Sequence, residues 1–218
     1  FTLGFMNSKG EWIFEPVNFS EKYPNLPAFY GEMEYLDNGI VGSYLELPDT
    51  NYLILCNSKN GKIFVINEVW NKNLKYYDSH MIYQTWNGGM SGGRKYEINS
   101  VDSDGNIIKL KEEGTELLRS CTNGFLTNEN GISFYDNEGK LQWTFNDYEI
   151  NYDTISLYDN YVFLSVKGKD QQEYVLCIDQ QTGKLTSDPI RTGSKLLNNG
   201  VIIRYNNSDE KIYLTNVI

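Results

Sequence analysis

Histidine is almost missing from this chain: His80 is the only one in 218 residues. A Ser-His-Asp or Cys-His mechanism would have to run through that one imidazole. Cysteine is also scarce. Cys56, Cys121 and Cys177 lie in or beside apolar runs, and none forms a C-x-x-C pair. An odd, sparse set is neither a disulfide framework nor a zinc site, so three buried free thiols are expected. Basic residues are outnumbered, 19 Lys and Arg against 29 Asp and Glu, for a formal net charge of -10. Nucleic acids and anionic membranes, which bind basic surfaces, are therefore disfavoured as partners. No apolar run approaches the roughly eighteen residues needed to span a membrane. No stretch carries helical periodicity of useful length. The chain starts at Phe1 with no basic-then-apolar leader, and a trimmed or processed product is expected.

What the chain does have is turn chemistry on a repeat. A short polar turn running straight into a β-rich stretch occurs at Leu36-Asp37-Asn38-Gly39-Ile40, Tyr77-Asp78-Ser79-His80-Met81, Cys121-Thr122-Asn123-Gly124-Phe125, Tyr158-Asp159-Asn160-Tyr161-Val162 and Leu197-Asn198-Asn199-Gly200-Val201. The third turn positions, 39, 80, 124, 161 and 200, are separated by 41, 44, 37 and 39 residues. A second signal alternates with the first. It is an Asn or Asp followed three or four residues later by Gly, at Asn7/Gly10, Asn57/Gly61, Asp102/Gly105, Asp136/Gly139 and Asp179/Gly183. Asn, Asp and Gly suit such turns because they tolerate positive φ, and the Ile, Val, Tyr, Phe and Trp flanks suit strands. Two interleaved hairpin signals with a period near forty are the mark of a β-propeller. The expected fold is one all-β domain over 1–218, with five four-stranded antiparallel blades at 28–70, 72–112, 115–146, 151–188 and 194–218. An N-terminal hairpin at 1–16 is expected to close the last blade, which lacks an outer strand.

The run Leu3-Gly4-Phe5-Met6-Asn7-Ser8-Lys9-Gly10-Glu11-Trp12-Ile13-Phe14-Glu15-Pro16 resembles a bacterial WG repeat. Tyr174-Val175-Leu176-Cys177-Ile178-Asp179-Gln180-Gln181-Thr182-Gly183-Lys184-Leu185 resembles the outer hairpin of quinoprotein-like (PQQ-like) propeller repeats. Both resemblances imply a repeat architecture and neither implies a cofactor, so none is expected. The Asn, Asp, Tyr and Lys bias resembles surface proteins of low-GC Gram-positive bacteria, which implies a protein that is secreted or held at the cell surface; a monomer is expected.

In a propeller the variable B–C and D–A loops share one face, where function tends to sit. On this sequence that face would carry Asn67–Asn71, Trp86–Arg94, Asn146–Tyr152, Lys167–Asp170 and Ser187–Arg191. Trp70, Trp86, Arg94, Tyr148 and Tyr152 are the candidate ligand-binding residues, since flat rings beside polar groups suit sugars or peptide motifs. The expected function is non-catalytic recognition of a glycan or protein. A glycoside hydrolase is the alternative, with its carboxylate pair drawn from Asp147, Glu149 and Asp153. A structural interaction domain of a larger surface protein is a third reading. The Gly-rich run Gly88-Gly89-Met90-Ser91-Gly92-Gly93 lacks the P-loop Lys and reads as a loop. Asp102-Ser103-Asp104-Gly105-Asn106 has some calcium-loop character, but it falls where every other unit has its hairpin turn.

Overall fold

The computed structural model describes the chain apart from residues 1, 27–32, 48–49, 70–75, 78–79, 88–94, 113, 130, 192–193, 197–200, 207–210 and 217–218. The chain is all-β, with one short helix among the described residues. Strands β1 (Thr2–Leu3) and β2 (Val17–Asn18) pair antiparallel, and helix α1 (Phe19–Lys22) follows. The first large sheet holds β3 (Glu34–Asp37), β4 (Ile40–Glu46), β5 (Asn51–Asn57) and β6 (Ile63–Asn67). The second holds β7 (Tyr76–Tyr77), β8 (His80–Asn87), β9 (Lys95–Asp102) and β10 (Ile107–Lys111). The third holds β11 (Glu116–Cys121), β12 (Gly124–Asn128), β13 (Ile132–Asp136) and β14 (Leu141–Phe145). The fourth holds β15 (Glu149–Tyr158), β16 (Tyr161–Lys167), β17 (Glu173–Asp179) and β18 (Ile190–Arg191). The last has three strands, β19 (Ser194–Leu196), β20 (Val201–Asn206) and β21 (Lys211–Asn216). Every sheet is an antiparallel meander in chain order.

The turns explain the meanders. Asn38 and Gly39, at φ 50 and 83, join β3 to β4, and Asp159, at φ 53, lies in the turn from β15 to β16. The wider turns share one hydrogen bond. In each, the side-chain Oδ1 of the leading Asn or Asp accepts the backbone N–H two residues on. Lys9 donates to Asn7 at 2.9 Å, Lys59 to Asn57 at 2.9 Å and Asp104 to Asp102 at 2.8 Å. Glu138 donates to Asp136 at 3.0 Å and Gln181 to Asp179 at 3.1 Å. This is an Asx turn, and the Gly that ends it takes positive φ in all five. The Asp102 carboxylate is occupied by the N–H groups of Asp104 and Asn106 and by the Asn106 amide. The Asp102–Asn106 segment is thus a hairpin turn, and no metal-ligand cluster occurs among the described residues.

The contacts divide the chain into two compact units, Phe1–Gly114 and Thr115–Ile218. Shared cores account for each. In the first unit, Leu53 and Leu55 on one face of β5 pack with Met81, Tyr83 and Val101 of the second sheet. Ile54 and Cys56 on the opposite face pack with Phe19 and with Leu3, Phe5 and Val17 of the N-terminal hairpin. Consecutive residues of β5 are therefore buried in two different cores, and the run shows no polar alternation. In the second unit, Leu126, Ile132 and Phe134 of the third sheet pack against Val162, Leu164, Val166, Leu176 and Ile178 of the fourth. Each such side chain contributes about 2 kcal/mol when fully buried. Within each unit, two successive four-stranded sheets thus share a core. The N-terminal hairpin has its backbone partners within itself, with Met6 bridged to Trp12, and its core contacts in the first unit. All three cysteines are buried and free. Burial pushes the Cys56 thiol up to about 12 and the Cys121 thiol to about 11.

The Asx turn at Asp179 carries a titratable acceptor. The Thr182 hydroxyl and backbone N–H hold the Asp179 carboxyl below its ordinary 3.8. A carboxyl depressed in the folded state stabilises above the unfolded value, and that contribution is lost as pH falls through the lower folded value. Asp179→Asn keeps an Oδ1 acceptor but cannot titrate. It is expected to flatten the acid limb of stability below about pH 4, measured by urea unfolding at a series of pH values. An acid limb identical to that of the parent would contradict this.

Candidate functional site

The β15–β18 sheet ends in an open groove of about 960 Å³, built entirely within the second unit. Three connections converge there. Asn146, Asp147, Tyr148 and Glu149 lie at the β14–β15 junction, and Lys167, Gly168, Lys169, Asp170 and Gln171 form the β16–β17 turn. Leu185 and Pro189 come from the segment leading into β18, and Tyr174 of β17 supplies a ring. A smaller recess of about 260 Å³ shares Glu149 and Lys167 with the groove. It sits where the β15–β16 register shifts between Asn151 and Ser156. Bulges of this kind re-aim strand side chains beside binding sites. Thr154 spans it, donating to the Asn151 carbonyl at 2.7 Å and accepting from the Ser165 N–H at 3.0 Å.

Local bonds hold the groove walls. Gly168 N–H donates to the Gln172 carbonyl at 2.8 Å, and Gln171 N–H, with φ 64 at Gln171, donates to the Gly168 carbonyl at 2.9 Å. The Tyr174 hydroxyl donates to Asp170 Oδ2 at 2.6 Å, and Gln172 N–H donates to its Oδ1 at 3.1 Å. These bonds, the Tyr174 hydroxyl first, hold the Asp170 carboxyl below the usual range, and the same bond raises the Tyr174 phenol. Arg191 of β18 donates to the Gln172 side-chain carbonyl at 2.8 Å and ties the strand to the turn. Gly168 is required because a Cβ there would lie 2.7 Å from both the Tyr174 ring and Asp170 Oδ1. Across the groove Tyr148 is half-buried and stacks on Phe145, with centroids 6.0 Å apart and planes 11° from parallel.

The residues singled out from sequence divide sharply. Tyr148, Asp147 and Glu149 line the groove. Tyr152 lies inside β15, half-buried against the second unit's core, and does not line the groove. Trp86 was expected on a loop but lies in β8, opposite Tyr96, because that strand continues to Asn87. It belongs to the first unit and lines none of these grooves. Trp70 and Arg94 lie outside the described residues, as do the turns at 78–79 and 197–200. Asp153 falls within β15, and its side chain is likewise outside the description. Asp147 and Glu149 are both exposed. Tyr174 and Gln171 were missed, since Tyr174 opens a strand and its ring position depends on Gly168. Among the described residues, no helix is long and apolar enough to cross a membrane. No protein-family model and no curated protein matches the chain.

Gly168→Ala should displace the Tyr174 ring and break the Asp170 bond. Tyr174→Phe breaks only the bond. In both variants the Gln172 amide, which Asp170 also accepts, is expected to exchange faster with solvent, and more so in Gly168→Ala. Unchanged exchange in Gly168→Ala would show that the ring does not rest on the turn.

Proposed function

We propose that the chain is a non-catalytic recognition module that takes a glycan in the groove of its second unit. The observation that carries this is the convergence of three connections on two tyrosine rings flanked by amide, carboxylate and ammonium groups. Ring faces stack on sugar C–H surfaces, while directed polar groups read the hydroxyls. Exposed carboxylates suit hydrogen bonding to hydroxyls better than proton transfer, so recognition is favoured over hydrolysis. For the scaffold, we propose a β-propeller of the WG-repeat or quinoprotein-like kind, with the four- and three-stranded sheets as blades; the N-terminal hairpin, which packs on the first large sheet, does not complete the last one. The recurrent Asx turns and the cores shared by successive sheets support it. In this reading the chain works as a monomer outside the cytoplasm.

Protein binding has one observation of its own. Edge strand β10 leaves Ile107 and Ile108 55% and 61% exposed. An unpaired apolar edge suits a strand from a partner.

The test is thermal shift against a panel of soluble oligosaccharides, with Tyr148→Ala and Ile108→Lys alongside. Ligand that binds only the folded state raises the melting temperature by mass action. A rise abolished by Tyr148→Ala and kept in Ile108→Lys, with no saccharide cleaved, is expected. No rise with any saccharide would defeat the glycan reading. Cleavage abolished by Glu149→Gln would establish the hydrolase instead.

A further inference from the structure

The turn glycines reveal a directional link between successive hairpins. A Cβ on Gly61 would meet the Phe14 ring at 2.8 Å, and one on Gly105 the Phe64 ring at 3.2 Å. On Gly183 it would lie within 3 Å of the Trp143 ring. Each ring belongs to the hairpin before the glycine it covers. Each also holds the same place there, seven residues past the Asn or Asp that opens the turn: Phe14 past Asn7, Phe64 past Asn57 and Trp143 past Asp136. Polar groups run the same way. The Trp143 indole donates to the Gln180 carbonyl at 2.8 Å, the Asn57 amide to the Ser103 carbonyl at 2.9 Å, and Lys62 pairs with Asp104 at 2.7 Å. Gly10, in the first turn of the series, has nothing within 4 Å of such a Cβ.

We propose that these rings couple the hairpins in one direction within each unit: the outer strands carrying Phe14, Phe64 and Trp143 each clamp the turn of the next repeat through its glycine. The contact energy is shared by the two hairpins, as nearest-neighbour terms are in repeat arrays, but the ring shields only the turn it covers, so the local opening of that turn depends on the preceding outer strand. Only a residue without a side chain admits a ring flat against the turn, and the positive φ already calls for glycine. The one requirement therefore serves both the turn and the clamp.

Hydrogen exchange on Phe64→Ala tests the direction. The Gly105 and Asn106 amides, in the turn that Phe64 covers, are expected to exchange at least tenfold faster. The Gly61 and Lys62 amides of its own turn should be unchanged. Acceleration confined to its own turn, equal in both turns or absent from both would overturn the proposal. A second comparison does not depend on that variant folding. Gly61→Ala and Gly10→Ala incur the same backbone strain, but only Gly61→Ala meets a ring. A clearly larger fall in melting temperature for Gly61→Ala supports the clamp, and equal falls refute it.

Discussion

One short hydrogen bond underlies this structure: an Asn or Asp oxygen accepting the N–H two residues downstream. It recurs at Asn7, Asn57, Asp102, Asp136 and Asp179. The bond closes the turn while the following glycine supplies a backbone angle that other residues adopt at a cost. Because strand side chains alternate with a period of two, the turn also decides which face of the sheet each residue occupies. Leu53 and Leu55 go to one core and Ile54 and Cys56 to another because the hairpin after Asn57 pairs Cys56 with Ile63 and Leu55 with Phe64.

The groove is a by-product of that regularity. With the hairpin turns at Asp159–Asn160 and Asp179–Gly183 short and locked, variation is confined to the opposite ends of the strands. There the β14–β15 junction, the β16–β17 turn and the approach to β18 meet. Its rigidity is local. Asp170 is held by Tyr174 and Gln172, Gln172 is held by Arg191, and Gly168 leaves room for the ring. A ligand would find these walls already arranged, which lowers the ordering cost of binding.

Much of the strand pattern could be read in the residues, because Asn-Gly and Asp-x-x-Gly carry their own conformational demands. The groove was partly legible for the same reason: Asn146–Tyr152 and Lys167–Asp170 stood out as breaks between strands, although only Asn146–Glu149 of the first lines it. What failed was register. Trp86 adjoins a Gly-rich run and looked like part of the loop, yet β8 pairs onward to Asn87 opposite Lys95. Tyr152 and Asp153 looked like loop residues because the shift between Asn151 and Ser156 breaks the alternation of β15. Tyr174 looked like an ordinary strand residue, since its ring is placed by a glycine six positions earlier. Contacts across chain distances of this kind leave no periodic trace.

The most direct test of the shared turn is native-state hydrogen exchange, by nuclear magnetic resonance, at the amides of Lys9, Lys59, Asp104, Glu138 and Gln181. Each sits at an exposed turn with a side-chain oxygen as its acceptor. Slow exchange at all five, well below the rate of an open peptide, is the expected result. Exchange at the open-peptide rate at all five would contradict the view that one side-chain bond sets the turns on which the sheets, their cores and the groove are built.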